Sequence, residues 1–370
     1  MDVLPIEGVL RRYDWGSTTA IPELLGLEPD GRPAAELWFG AHPDDPSPAG
    51  EAALDELIAR DPQGLLGAGV ADRFGPRLPF LLKILAAGRA LSIQVHPDLE
   101  QARAGFAAED AAGVDRTAPD RNYRDPNHKP ELICALTPFD ALCGFRPVAR
   151  TRQLLADLAR PELKFIDDAL AGDDPLRAAF TAVLTAADPA PAIAAVSDHP
   201  DERLAGVRLA AADYPGDVGV LVALLLNYVR LEPGEAIYLG AGNVHAYLRG
   251  TGVEIMANSD NVLRCGLTTK HVDVPELLRI TDFAELPEPR WPAVGGTFAG
   301  PVPDFRLTRL ELDEPTGLDD PGPLIVLCTA GAVQVGGAEI APGRAVFVPA
   351  GTAVTVRGAG EAFVAGVGGT

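Results

Sequence analysis

Cysteine is scarce in this chain of 370 residues: the four present, Cys134, Cys143, Cys265 and Cys328, lie scattered without a C-x-x-C pair. That pattern excludes a disulfide framework and a thiolate zinc site, and leaves all four as reduced packing residues. Basic residues are also in deficit, 31 Lys and Arg against 52 Asp and Glu, for a net charge of −21. With no cationic excess to displace phosphate counterions, nucleic acid and anionic membranes are excluded as partners. An anionic small molecule must therefore be caught by a local basic cluster. Long apolar runs are missing too: the longest, Val218 to Leu226, is closed by Asp217 and Asn227, well short of the ~20 residues that span a bilayer. The N-terminal MDVLPIEGVLRRYDWG lacks a basic stretch followed by an apolar one, so no secretory signal is expected and the protein is placed in the cytoplasm.

What is present is enough apolar material, 47% of residues, to fill the cores of two or three domains. From Pro79 to Phe145, short apolar runs such as PFLLKIL, ALSIQVH and ELICAL are broken by Pro, Asp and Asn, a pattern that predicts mainly strands joined by loops. Between Pro147 and Tyr228 the character changes. ARTRQLLADLAR, DPLRAAFTAVLTAA and DERLAGVRLAAA carry helical spacing with little β-branching, and predict a helical insertion. Strand patterning resumes at EAIYLG.

An internal repeat refines this reading. Residues 232 to 247, EPGEAIYLGAGNVHAY, align without a gap against 341 to 356, APGRAVFVPAGTAVTV. The spacing resembles the second sequence motif of cupins, small antiparallel barrels with a metal-binding histidine at a fixed place after the turn. His245 stands there in the first copy and Val354 in the second. The expected fold is mainly β: two cupin-like, jelly-roll antiparallel barrels and a helical domain. The expected division is 1–146 and 229–290 for a catalytic barrel, 147–228 for the helical insertion, and 291–370 for a degenerate, structural C-terminal barrel.

Side chains alternate along a strand, so in LSIQVH the residues Leu91, Ile93 and Val95 share one face while Ser92, Gln94 and His96 share the other. One face packs, and the second points into a barrel lumen where Gln94 and His96 can reach one ion. In YRDPNHKPEL, Pro126 and Pro130 pin an extended loop that delivers Glu131 to the start of a strand. His245 follows a glycine-rich turn tight enough to bring its imidazole to the barrel mouth. Two imidazoles with two oxygen ligands suit one zinc ion per chain, and the lack of cysteine argues against a purely structural site.

These blocks, YDWG (13–16), AELWFGAHP (35–43), LSIQVHPD (91–98), NHKPEL (127–132) and GAGNVHAYLRGTGVEIMANSDNVLRCGLTTKHVDV (240–274), together resemble the type I mannose-6-phosphate isomerases, or phosphomannose isomerases. The resemblance runs in order from about residue 5 to 280. It implies one zinc held by Gln94, His96, Glu131 and His245, and a reversible conversion of mannose 6-phosphate to fructose 6-phosphate through a cis-enediol, as in carbohydrate metabolism and GDP-mannose biosynthesis. Such a reaction needs a proton carrier and a charge that offsets the developing enediolate. Glu254 is the first choice for the base and Lys129 its rival, and the resemblance does not choose between them. Arg264 is implied as an active-site residue, on phosphate or on a hydroxyl, with Lys270 as a second phosphate anchor and Ser92 as a hydrogen-bond donor. His128, Trp15 and Glu36 are further substrate-side candidates, with Trp38 and His42 in support. His271 is a weaker candidate, and His199 is expected to face solvent without a role. Where many family members carry Gly or Ala, this chain has Cys265, and it has Thr269 in place of Pro.

The partner is thus a sugar phosphate and the chain is expected to be a monomer. Three other readings compete. A cupin-type iron dioxygenase is disfavoured by Gln94, since that class prefers several histidines. A sugar-phosphate binding protein has no use for Glu254 and Lys129 beside a metal. An isomerase of unphosphorylated sugars leaves Arg264 and Lys270 without a purpose.

Overall fold

The computed structural model describes residues 3–369. It is mostly β, and two antiparallel sheets of eleven and eight strands carry the architecture. In the larger, Phe80–Ala87 is central, paired with Glu36–Gly40 on one side and His245–Ala257 on the other. All eight of its residues are buried, which explains its near-continuous apolar sequence. Lys83 is the exception within it, and its place is described below.

The helical insertion occupies the connection between two paired strands. Phe139–Phe145 and Leu226–Leu231 run antiparallel, and six α-helices, from Val148–Leu158 to Gly219–Leu225, fill the chain between them. Most of these helices bury one apolar stripe, and Gly219–Leu225 is buried along its whole length. Leu154, Phe180, Val220 and Leu224 form a common core with Ile93, Val95, Leu263 and Cys265. The outer face of the strands Ile93–Val95 and Leu263–Gly266 is therefore the face that packs, leaving the residues between to face inward.

Some elements depart from the sequence reading. Leu99–Ala111 is a 13-residue helix inside the stretch read as mainly strands. It starts with a capping box, in which Asp98 Oδ1 accepts from the Gln101 N–H at 2.7 Å and Gln101 Oε1 from the Asp98 N–H at 2.9 Å. Three short helices, Leu54–Arg60, Pro62–Leu66 and Ala68–Phe74, precede the central strand, and Val274–Ile280 follows the second site-bearing segment. The N-terminal segment also crosses to the other sheet. Leu4–Ile6 pairs with Ala345–Val348, so the chain's first strand completes the C-terminal sheet.

The internal repeat is visible in the backbone. Ala236–Leu239 then His245–Ala257 in the first copy, and Ala345–Val348 then Val354–Gly366 in the second, are strand pairs of equal lengths and spacing. The glycines of both turns keep a left-handed backbone, φ +88 and +76 at Gly234 and Gly242 and +73 and +65 at Gly343 and Gly351. The copies diverge at the first residue of the long strand, where His245 and Val354 are both buried but only the former meets polar partners.

Candidate metal centre and active site

Register brings the site residues into rows. His245 is directly opposite Gln94, and Gln94 is opposite Arg264 on its other side, so these three side chains share a face across three adjacent strands. Glu254 is opposite Lys83, and Lys83 is opposite Trp38, which makes a second row. Glu131, opposite Met256, joins the two. The rows enclose a cavity of about 680 Å³, within the size of small-ligand clefts. Trp15, Glu36, Ser92, Gln94, Lys129, Glu131, Glu254, Arg264 and Lys270 all line it.

Behind its wall, at Glu131, three buried atoms converge. His96 Nε2 lies 3.5 Å and His245 Nε2 3.3 Å from Glu131 Oε2, and none of the three has a hydrogen-bond partner. Two backbone carbonyls fix the tautomers. His96 Nδ1 is 2.7 Å from the Asn261 carbonyl and His245 Nδ1 2.9 Å from that of Asn243, so each Nδ1 carries the proton and donates it. Both Nε2 atoms then present lone pairs to a carboxylate oxygen. Three acceptors aimed at one point repel unless a cation lies among them. Burial pushes His96 down to about 4, which keeps the imidazole neutral and ready to ligate. Burial alone would push Glu131 up, but the Lys129 ammonium 2.9 Å away outweighs it and holds the carboxyl well below its usual range. These residues fit a divalent cation, and Gln94 is on the same face as His245.

Beside this centre is a cluster the sequence reading missed in part. Lys83 Nζ is 3.1 Å from Glu254 Oε2 and 3.6 Å from Glu36 Oε1, and lies 5.2 Å from the Trp38 ring. Burial alone would lower Lys83, yet Glu36, Glu254 and Glu131 outweigh it and raise it above the lysine range. Tyr247 donates to Glu254 Oε1 at 2.8 Å, and Trp38 Nε1 to Glu36 Oε2 at 2.6 Å. Burial, together with Glu131 and Glu36, raises the Glu254 carboxyl against the opposing pull of Lys83. The overlooked signal was the lone lysine in PFLLKIL, since a charge on a fully buried strand needs partners.

The opposite side of the cavity is cationic. Among the described residues, neither the Arg264 guanidinium nor the Lys270 ammonium has a hydrogen-bonding or ion-pair partner. Burial first, and then Arg264 and Arg124, lower Lys270. Burial and Arg124 likewise lower Arg264. Arg124 also lines the cavity, so three positive groups share one region of an acidic protein, an arrangement that favours an anion.

Other expected residues fall as follows. His128 is not among the residues that line the cavity: its Nε2 lies 3.0 Å from Asp304 Oδ2, because in the extended segment Lys129 points inward and its neighbour outward. His42 is buried edge-on to Trp38 and 3.5 Å from Asp260. Trp15 stacks on Tyr13 with centroids 5.6 Å apart. Cys265 turns away from Arg264 into the helical core, and Thr269 is on the cavity rim. His271 is exposed and outside the cavity lining.

Comparison with known proteins agrees with this geometry. Residues 3–148 match the model of the phosphomannose isomerase type I catalytic domain. The mannose-6-phosphate isomerase of Escherichia coli K12 is 40% identical, over 95% of this chain and 96% of its own. The chain belongs to the mannose-6-phosphate isomerase family. The bovine relative is 34% identical over 84% of this chain and 82% of its own. Among solved structures, mannose 6-phosphate isomerase from Salmonella typhimurium bound to fructose 6-phosphate and zinc superimposes with a TM-score of 0.92 at 35% identity, each chain fully covered. A mannose 6-phosphate isomerase bound with zinc and yttrium gives 0.92 at 36%, again with full coverage.

Proposed function

We propose that the protein is a zinc-dependent aldose–ketose isomerase that interconverts mannose 6-phosphate and fructose 6-phosphate. The observation that carries this reading is the trio of buried acceptor atoms on His96, Glu131 and His245, of which Glu131 lines the cavity that also holds Glu254 and the free cations. Gln94, His96, Glu131 and His245 would hold the zinc. When bound, it supplies positive charge that offsets the negative charge growing on the sugar oxygens as a proton leaves.

Glu254 takes the proton from C2 of the aldose and returns it to C1 while a hydroxyl proton passes from O2 to O1, giving the ketose through a cis-enediol. Its burial makes it a stronger base than an exposed carboxylate. Lys83 and Tyr247 each occupy one lone pair on its oxygens, which orients the group while leaving a free lone pair for the proton. Lys129 is the weaker candidate for the base, since its ammonium is paired with Glu131. Arg264 and Lys270 anchor the 6-phosphate, with Ser92 as a hydrogen-bond donor on the same face as Gln94. The C-terminal sheet, with Val354 in the histidine's place, has a structural role. No helix of the described residues is long and apolar enough to cross a membrane. Among the described residues, Leu27 and Val294 are the large apolar side chains left exposed, too few for an apolar dimer face, so we read the protein as a monomer.

The test is to incubate the zinc-loaded protein with mannose 6-phosphate and, separately, with mannose, and to follow ketose formation by NMR. Ketose is expected from the phosphate ester with far higher kcat/KM. Equal turnover of free mannose, or none of either, would overturn the proposal.

A further inference from the structure

We infer that Asp217, supplied by the helical insertion, is a positioning residue for phosphate recognition; this rests on the isomerase reading above. Its carboxylate crosses from the helices to the loop that joins Arg264 to Lys270. Oδ1 accepts the Leu267 N–H at 2.7 Å and the Gly219 N–H at 2.7 Å, and Oδ2 accepts the Thr268 N–H at 3.3 Å. Leu267 needs such a hold. It stands at φ +51, a region that bulky residues seldom adopt, and its side chain is buried in the helical core.

The two backbones meet without room for a side chain. A Cβ on Gly266 would lie 2.5 Å from Gly219 Cα, and one on Gly219 would lie 2.6 Å from Leu267 N. Leu267, Thr268, Thr269 and Lys270 line the cavity, while Asp217 does not. The residue thus acts through the loop and never touches the ligand. The loop also has a repulsion to resist, since Arg264, Arg124 and Lys270 bring three positive groups together without a facing carboxylate. A strained, cationic loop is held open for an anion by a carboxylate aimed at its backbone, not at its charges. Four residues earlier, Asp213 accepts from Arg249 at 2.6 and 3.0 Å and from the Ala90 N–H at 2.7 Å, so the segment 213–217 is tied to the strand His245–Ala257 at one end and to the loop at the other.

The test uses the full-length zinc-loaded enzyme with Asp217→Asn and Asp217→Ala. The asparagine keeps one acceptor oxygen for Leu267 and Gly219 and turns an N–H toward Thr268; should the alanine protein fail to fold, it carries the test alone. KM for mannose 6-phosphate should rise about threefold in the asparagine protein and about tenfold in the alanine one. The inhibition constant of inorganic phosphate should rise by the same factor, kcat should change less than KM, and zinc content should stay at the wild-type value. A purely structural role would lower kcat through lost active protein and leave KM and the phosphate constant where they were, and that result would overturn the inference. If the wild-type protein proves inactive on mannose 6-phosphate, the isomerase reading fails by itself. Calorimetric titration of inorganic phosphate into wild type and Asp217→Asn then decides the inference: weaker binding in the variant supports it and equal binding overturns it.

Discussion

Glu254 is held from two sides, by Lys83 at 3.1 Å and Tyr247 at 2.8 Å, and the proposed chemistry depends on that grip. Glu254→Gln keeps the size and the Tyr247 contact but removes the base. Turnover should fall by about 10²–10⁴-fold, while metal analysis finds zinc at full stoichiometry. Activity within a few-fold of wild type would move the role to Lys129. Lys83→Met tests the electrostatics. Lys83 pulls the Glu254 carboxyl down, so its removal lets that pKa rise, and the base is ionised only at higher pH. The acid limb of the kcat profile should therefore move to higher pH; a stationary limb, or one moved to lower pH, would contradict the account. At the metal centre, His245→Ala takes away one of three converging acceptors, and zinc per chain should drop well below one. Full stoichiometry in that variant would overturn the ligand assignment.

The elements that carry these residues show what the sequence made legible. Strand alternation was enough to put Gln94 and His96 on one face and Ile93 and Val95 on the other, because a two-sided environment writes itself as period two. The repeat ending at His245 was legible because its turns require glycine at fixed places. Lys83 was not, since a buried charge is read as an interruption until its partners on neighbouring strands are known. Nor was the outward turn of His128, which depends on Asp304 in a distant segment. The helix Leu99–Ala111 lay behind a run of strand signals, and only its capping residues announced it. Gly242 offers a test at this scale. Its N–H donates to the His96 carbonyl at 2.9 Å, it stands at φ +76, and an added Cβ would lie 2.9 Å from Asp282 N. Gly242→Ala should cost about 1–2 kcal/mol in denaturant unfolding and weaken zinc retention. An unchanged midpoint with unchanged zinc would show that this turn does not position the ligands.

Across the whole molecule, the metal centre links binding to folding. His96 has its folded pKa lowered from 6.5 to about 4, so the unfolded chain takes up a proton there before the folded one does. The contribution is present above about 6.5 and is lost progressively as pH falls toward about 4, amounting to ~3 kcal/mol in the metal-free protein. The melting temperature of chelated protein should decline across that window, and the decline should shrink in His96→Gln; a flat profile would contradict the buried, neutral imidazole. The claim that governs the rest is that four residues on adjacent strands hold a zinc on which isomerisation depends. The most direct measurement is a coupled assay for fructose 6-phosphate formed from mannose 6-phosphate, run on the purified protein as isolated, after chelation, and after zinc is restored. The account predicts activity that vanishes on chelation and returns with zinc. Activity that survives complete removal of metal, or a folded, zinc-loaded protein with no activity, would contradict it.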